Sequence, residues 1–308
     1  MIPSTTTDQQ QVLLLPGLDG TNPLGFLAAL GVVRALDRSA DCGPAKLHWP
    51  VRSGMRVAAV HLFKPSNCDS DHLVELLLSI LNKDASEHPA KRWPVFIDGD
   101  PHAIRDLISA EPDAWSACIG VEPLSHTDPG KRISQLQTAR KDYHIKAIDN
   151  LLKGITREQL QRSLLKPWDY HEPLEGLTLH IDPSEDRRHA YQWNQPAGDP
   201  DRKTHGNMVA ANRLALEAFA FFPIIHAGAM SQTIGFQGHY RNDTFWTWPL
   251  WTHPADVHVI GSLLALPELQ RDRPDPRKLH AMGIPVVLRS QRILVGKTPN
   301  FTPAQRIA

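Results

Sequence analysis

The sequence predicts an α+β protein: mixed sheets with packed helices and a helical insertion near 133–166. Three observations predict this class. Short apolar runs bounded by Gly, Pro, Asn and Asp read as strands. Longer segments at 23–38, 72–81 and 207–221 repeat apolar residues at helical spacing. Residues 133–165 read as two helices, and they are basic where the chain on either side is acidic. A chain of 308 residues, 41% of them hydrophobic, suffices for one large domain or two of ordinary size. Charge divides it into an N-terminal α/β part (1–130), a basic helical segment (131–167) and a C-terminal α+β part (168–308), which can also form one compact body.

Taken in order, QVLLL at 11–15 is a buried strand ended by Pro16 and Gly17. GLDGTN is a turn, where Asn22 caps a helix with Pro23 at its first position. That helix, Pro23–Arg38, places Phe26, Leu27, Leu30, Val33 and Leu36 near one face. Its small residues Gly25, Ala28, Ala29 and Gly31 predict close packing against a sheet. Residues 46–51 and 55–63 read as strands joined by Arg52-Ser53-Gly54, a hairpin. His72–Leu81 is a helix, 82–131 is loop with short helices, and 133–152 and 156–165 are the two basic helices. Leu177–Ile181 reads as a strand, and 182–206 as a long polar loop of a length that is usually functional or disordered. Asn207–Phe221 is a helix packed by Leu214, Leu216 and Phe219. Strands follow at Pro223–Ala227, Ser231–Gln237 and 245–251, the last interrupted by Pro249. Short helices at Pro254–Leu266 and Asp275–Met282 precede a closing hairpin, Ile284–Leu288 with Arg292–Val295.

The zero net charge hides segregation. Residues 131–167 hold 9 Lys and Arg against 3 Asp and Glu, and residues 271–308 hold 8 against 2. These segments can meet a polyanion, or they can face the acidic segments of the same molecule. Cys42, Cys68 and Cys118 form no C-x-x-C pair, and their odd number predicts reduced, buried thiols of a cytosolic protein. No apolar run reaches the ~18 residues of a membrane span, and the first residues lack a secretory signal. A cytoplasmic location without membrane partners is the expectation.

Three catalytic patterns fail on spacing. VLLLPGLDGT resembles the oxyanion-loop region of α/β hydrolases, but no G-x-S-x-G elbow accompanies it. ILVGKT at 293–298 ends like a P-loop, yet position 291 is Gln and Pro299 and Pro303 break the helix the motif requires. Gly17, Gly20 and Gly25 miss the dinucleotide spacing. Among the 16 histidines, His253 and His258 are five apart with Pro254 between them, and no His pairs with Cys at zinc-finger spacing. The expectation is a protein with no metal and no cofactor.

Three stretches taken together resemble a known group: GLDGTNPLGFLAALGVVRALDR (17–38); DPSEDRRHAYQWNQP (182–196) with GNMVAANRLALEAFAFFP (206–223); and TFWTWPLWTHPADVHVIGSLLALPEL (244–269). Their order is similar to that in accessory and large-subunit-like proteins of type I-G (formerly I-U) CRISPR systems. The resemblance implies a non-catalytic subunit of an interference complex. It would bind DNA or the guide RNA–DNA hybrid, or dock other effector subunits or the nuclease–helicase. In such complexes base pairing reads sequence while protein holds backbones.

On this reading Arg187 and Arg188 are phosphate contacts, Arg241 is a further basic contact, and Trp193, Trp246 and Trp248 stack bases. Alternation along a strand puts Trp246 and Trp248 on one face. The competing readings are core packing for those tryptophans and ion pairs with Glu185 or Asp186 for the arginines. A protein-interaction module without nucleic-acid contact is the second functional reading, and a hydrolase or nuclease without a recognisable motif the third.

Overall fold

The structure, a computed structural model, describes residues 11–65, 67–83, 88–92, 106, 109, 116–119, 134–138, 141–184, 205–227, 230–238, 244–295 and 298–308. These fold as α+β, with antiparallel pairing in every described sheet. In the first sheet β1 (Gln11–Asp19) pairs with β4 (Met55–Leu62), which pairs on its other side with β2 (Lys46–His48). β1 runs past the expected stop at Pro16. The register shifts between Leu15 and Asp19, so Pro16, Gly17 and Leu18 are taken up in a bulge and pairing resumes at Asp19 opposite Val57. The expected hairpin forms between β3 (Val51–Arg52) and β4. Ser53 and Gly54, at φ 50° and 82°, supply the two left-handed positions of a tight turn.

The α-helices with described bounds are α1 (Pro23–Asp37), α2 (Ser70–Lys83), α3 (Ser116–Ile119), α4 (Lys141–Leu151), α5 (Arg157–Leu165), α6 (Val209–Ala218), α7 (Val257–Leu264) and α8 (Pro276–Ala281). α1 is the axis of the molecule, buried along its length except at Arg34 and Asp37. Its small residues meet more than the expected sheet. A Cβ on Gly25 would lie 2.5 Å from the Asp19 carbonyl oxygen in β1, but one on Gly31 would lie 1.9 Å from the Leu214 oxygen in α6. The closest approach is therefore between two helix backbones, which only glycine permits here.

The basic helices form as α4 and α5, while the described residues 134–138 before them make a turn. Thr156 and Gln159 cap α5 reciprocally. Both helices belong to the main body. One hydrophobic cluster joins Leu15, Leu30 and Leu77 of the first segment, Ile148, Leu151 and Leu160 of the second, and Leu214, Trp246 and Leu288 of the third. The strand expected at 177–181 does not form. His180 is left-handed (φ 58°), Leu179 N–H donates to Asn212 Oδ1 (2.8 Å), and the Leu179 carbonyl accepts from Thr138 Oγ1. Side chains replace a ladder. The short pair β5 (Glu172–Pro173) and β6 (Gly206–Asn207) frames the polar loop instead.

After the hairpin of β7 (Ile224–Ala227) and β8 (Met230–Thr233), β9 (Phe236–Gln237) joins the second sheet. Its order is β12 (Thr298–Phe301), β11 (Val286–Val295), β10 (Thr244–Leu250), β9, with β13 (Gln305–Arg306) also on β11. The expected closing hairpin at 284–295 is one continuous strand, β11, because Ser290 and Gln291 pair with Trp246 and Phe245 instead of turning. Pro249 stays within β10. β9 ends opposite Trp246, so Pro249 lies where one side of β10 has no ladder to feed. The two sheets meet through β2: Leu47 bridges Ala255, and Trp251 Nε1 donates to the Leu47 oxygen (2.6 Å). All three cysteines are buried thiols. No described helix is long and apolar enough to cross a membrane.

Candidate functional site

The turn between β1 and α1 is short, polar and tied at every residue. Thr21 donates to Asp19 from its backbone N–H (2.9 Å) and its hydroxyl (2.8 Å). Asn22 Oδ1 accepts from Leu24 N–H (2.8 Å) and Gly25 N–H (3.2 Å), so the chain itself satisfies the first amides of α1. The other face of the same amide reaches across the molecule: Asn22 Nδ2 donates to Asp182 Oδ1 at 3.0 Å.

Asp182 starts the long polar loop. Its carboxylate also accepts from the Ser184 N–H (2.8 Å) and from the Tyr170 hydroxyl (2.9 Å). Burial, then the Asp182 charge, raises the Tyr170 phenol well above its ordinary range, so it stays a donor. The Tyr170 carbonyl accepts Gly206 N–H at 2.6 Å, where the loop returns. One residue, itself left-handed at φ 53°, thus ties both ends of segment 185–204. Beside it Asp169 pairs with Arg162 (2.7 Å), and the exposed His171 and His205 rings meet edge to face at 5.0 Å. Burial raises the Glu172 carboxyl, although it accepts Val209 N–H at the start of α6.

Beneath the turn lies the aromatic strand. Trp248 Nε1 donates to the Gly20 carbonyl (3.0 Å), and a Cβ at Gly20 would meet Trp49 and Leu250 at 2.8 Å. The structure therefore corrects the reading of Trp246 and Trp248 as base-stacking residues. They share one face as alternation requires, 4.7 Å between centroids, but both are 0% exposed. Phe26 covers Trp248 and Phe236 stacks on Trp246, so neither ring offers a face to a ligand. Burying two indoles against a central helix stabilises the core more than exposing them would. Arg187, Arg188, Trp193 and Arg241 lie outside the described residues.

Part of the segregated charge is matched internally. Arg157 pairs with Asp71 (2.8 Å) and Glu75 (2.5 Å), and Arg162 with Asp169, so these cations of the first basic segment face the molecule's own acids. A separate buried cluster centres on Glu217. It accepts from Arg34 (3.1 Å), Arg213 (2.8 Å) and His88 (2.8 Å). Burial alone would raise the Glu217 carboxyl, but His88 and Arg213 override it and hold it far below its ordinary value. Among the described residues, no three His, Cys, Asp or Glu side chains gather as metal ligands.

Sequence reasoning missed Tyr170 and the Asn22–Asp182 bond. Both Asn22 and Asp182 stand in the stretches that carry the resemblance, but their pairing spans 160 positions and leaves no local signal. Comparison with protein-family models and with curated proteins finds no match.

Proposed function

We propose that this chain is a non-catalytic, cytoplasmic subunit of a type I-G CRISPR interference complex that holds nucleic acid through the 185–204 loop. One observation supports the reading above the others. The three sequence stretches that carry the resemblance meet at one place, the Gly20–Asn22 turn: Asn22 bonds Asp182 of the second, and Trp248 of the third bonds Gly20. The braced turn holds Asp182, three residues before the segment that carries Arg187, Arg188 and Trp193 in sequence. Arginine forks suit phosphate oxygens, and an aromatic ring suits an unstacked base.

The test is co-purification. The chain, expressed with the other subunits of its own complex and a guide RNA, is expected to elute with them and with the RNA. Elution as a lone protein would refute the reading. A second reading, a protein-interaction module that touches no nucleic acid, is favoured by the internal pairing of Arg157 and Arg162. It predicts co-elution with subunits while the purified chain shows no salt-dependent affinity for DNA.

A further inference from the structure

The two basic segments of the sequence meet at one side chain. Arg292, in β11 of the second (271–308), gives Nη2 to the Gln137 carbonyl of the first (131–167) at 2.9 Å. No acid joins them: among the described residues no Asp or Glu side chain lies at ion-pair distance from Arg292. Other cations of the second segment are better supplied. Arg271 and Lys278 lie 3.4 and 3.0 Å from Glu268. Arg289 has a partner for every nitrogen: Thr247 Oγ1 for Nε, and the carbonyls of Asp272, Leu269 and Arg271 for Nη1 and Nη2.

The position of Arg292 makes its lack of partners costly. It stands opposite Thr244 of β10 and Phe301 of β12, so it shares a sheet face with Trp246, Trp248, Leu288 and Ser290. Those neighbours are all buried, and Arg292 is the one charged residue described on that face of β10 and β11. Its Nε is sealed from solvent with no acceptor, and Nη1 donates to nothing among the described residues. Burial lowers its basicity to about 10, which still leaves it charged at neutral pH. A buried charge without a counter-ion opposes folding. An oxyanion from outside would balance it and take the unbonded N–H groups of the fork. The side chain as a whole is only half-buried, so part of it stays within reach of such an ion.

We propose that Arg292, where the two basic segments join beside the Gln137 carbonyl, receives one phosphate of the nucleic acid. The contact is separate from the 185–204 loop, and it rests on the nucleic-acid reading above. Its test uses the full chain, a 20-nucleotide single strand and inorganic phosphate. Arg292→Met is expected to lower the slope of log K against log salt by about 0.7, one contact on a single strand. Inorganic phosphate, matched with chloride for ionic strength, should raise the wild-type melting temperature and leave that of Arg292→Met unmoved. In chloride alone the variant should melt no earlier than wild type, because an unpaired buried charge is gone. Should Arg292→Met not fold, the Nε–H resonance of Arg292, identified by its loss in Arg292→Lys, should shift as phosphate is added to wild type, and a fixed resonance would overturn the proposal. A wild-type chain that binds no single strand would sink both this inference and the reading beneath it. Wild-type binding with the same slope and the same response to phosphate in folded Arg292→Met would sink this inference alone. Polyglutamate that stabilises wild type through Arg292 as strongly as the single strand does would assign the contact to an acidic protein and overturn it as well.

Discussion

Tyr170 shows how much one residue can carry. Its hydroxyl serves the outgoing end of the loop, its carbonyl the returning end, and its backbone occupies the left-handed region that few bulky residues adopt. Tyr170→Phe keeps the ring and removes the donor to Asp182. A hydrogen bond to a charged group is worth about 1.5–3 kcal/mol, and a loss of that size in urea unfolding is expected. No change would mean that Asn22 and Ser184 suffice for Asp182. Buried histidines set a second behaviour at this scale. Burial lowers His144 to about 3 and, with the nearby His48 and Lys46 charges, His61 to about 4. Both are neutral in the native state at pH values where the unfolded chain, with the ordinary value of 6.5, binds protons. Their contribution is therefore complete above pH 6.5 and is lost as pH falls toward 4 for His61 and 3 for His144. Unfolding free energy measured between pH 7 and 3 should drop, with His144 alone accounting for something on the order of 4 kcal/mol. His144→Leu should flatten that part of the curve, and an equally steep curve in the variant would reject the assignment.

At the scale of elements, glycine decides how α1 packs. Gly31 faces the Leu214 carbonyl so closely that any Cβ must part α1 from α6. Gly31→Ala should destabilise by roughly 1–3 kcal/mol or more, since neither backbone can yield cheaply. Gly261 in α7 is the matched control. Nothing lies within 4 Å of its added Cβ, so Gly261→Ala should stabilise by up to about 1 kcal/mol through helix propensity. Paired melting curves test both, and equal effects at the two sites would show that propensity rather than close approach governs α1. The same scale explains the missing strand at 177–181. Leu179 and Ile181 are buried, but Asn212 and Thr138 take the Leu179 amide and carbonyl in place of a neighbouring strand. An apolar run announces burial, and it does not say which partner satisfies the backbone.

For the whole molecule, charge segregation in sequence becomes partial neutralisation in space. Arg157 and Arg162 find acids, while no Asp or Glu side chain lies at ion-pair distance from Arg277 among the described residues. The loop arginines provide the remaining prediction. If Arg187 and Arg188 touch phosphate, Arg187→Ala with Arg188→Ala should lower the salt slope of DNA binding by about one for each phosphate that is no longer neutralised. The melting temperature should hardly move, because exposed ion pairs are worth about 0–1 kcal/mol. An earlier melt with an unaltered slope would show that both arginines are structural.

By itself the sequence determined the α+β class, the Asn22–Pro23 start of α1, a hairpin turn within Arg52-Ser53-Gly54 and the shared face of Trp246 and Trp248. Each depends on neighbours within a few positions, where φ limits, capping and side-chain alternation act directly. Tertiary structure alone decided that those tryptophans lie in the core, that Gly31 faces a helix, that 284–295 continues as one strand and that Asn22 finds Asp182. Each of these depends on a partner far along the chain, and an apolar or polar side chain carries no record of which distant surface will cover it.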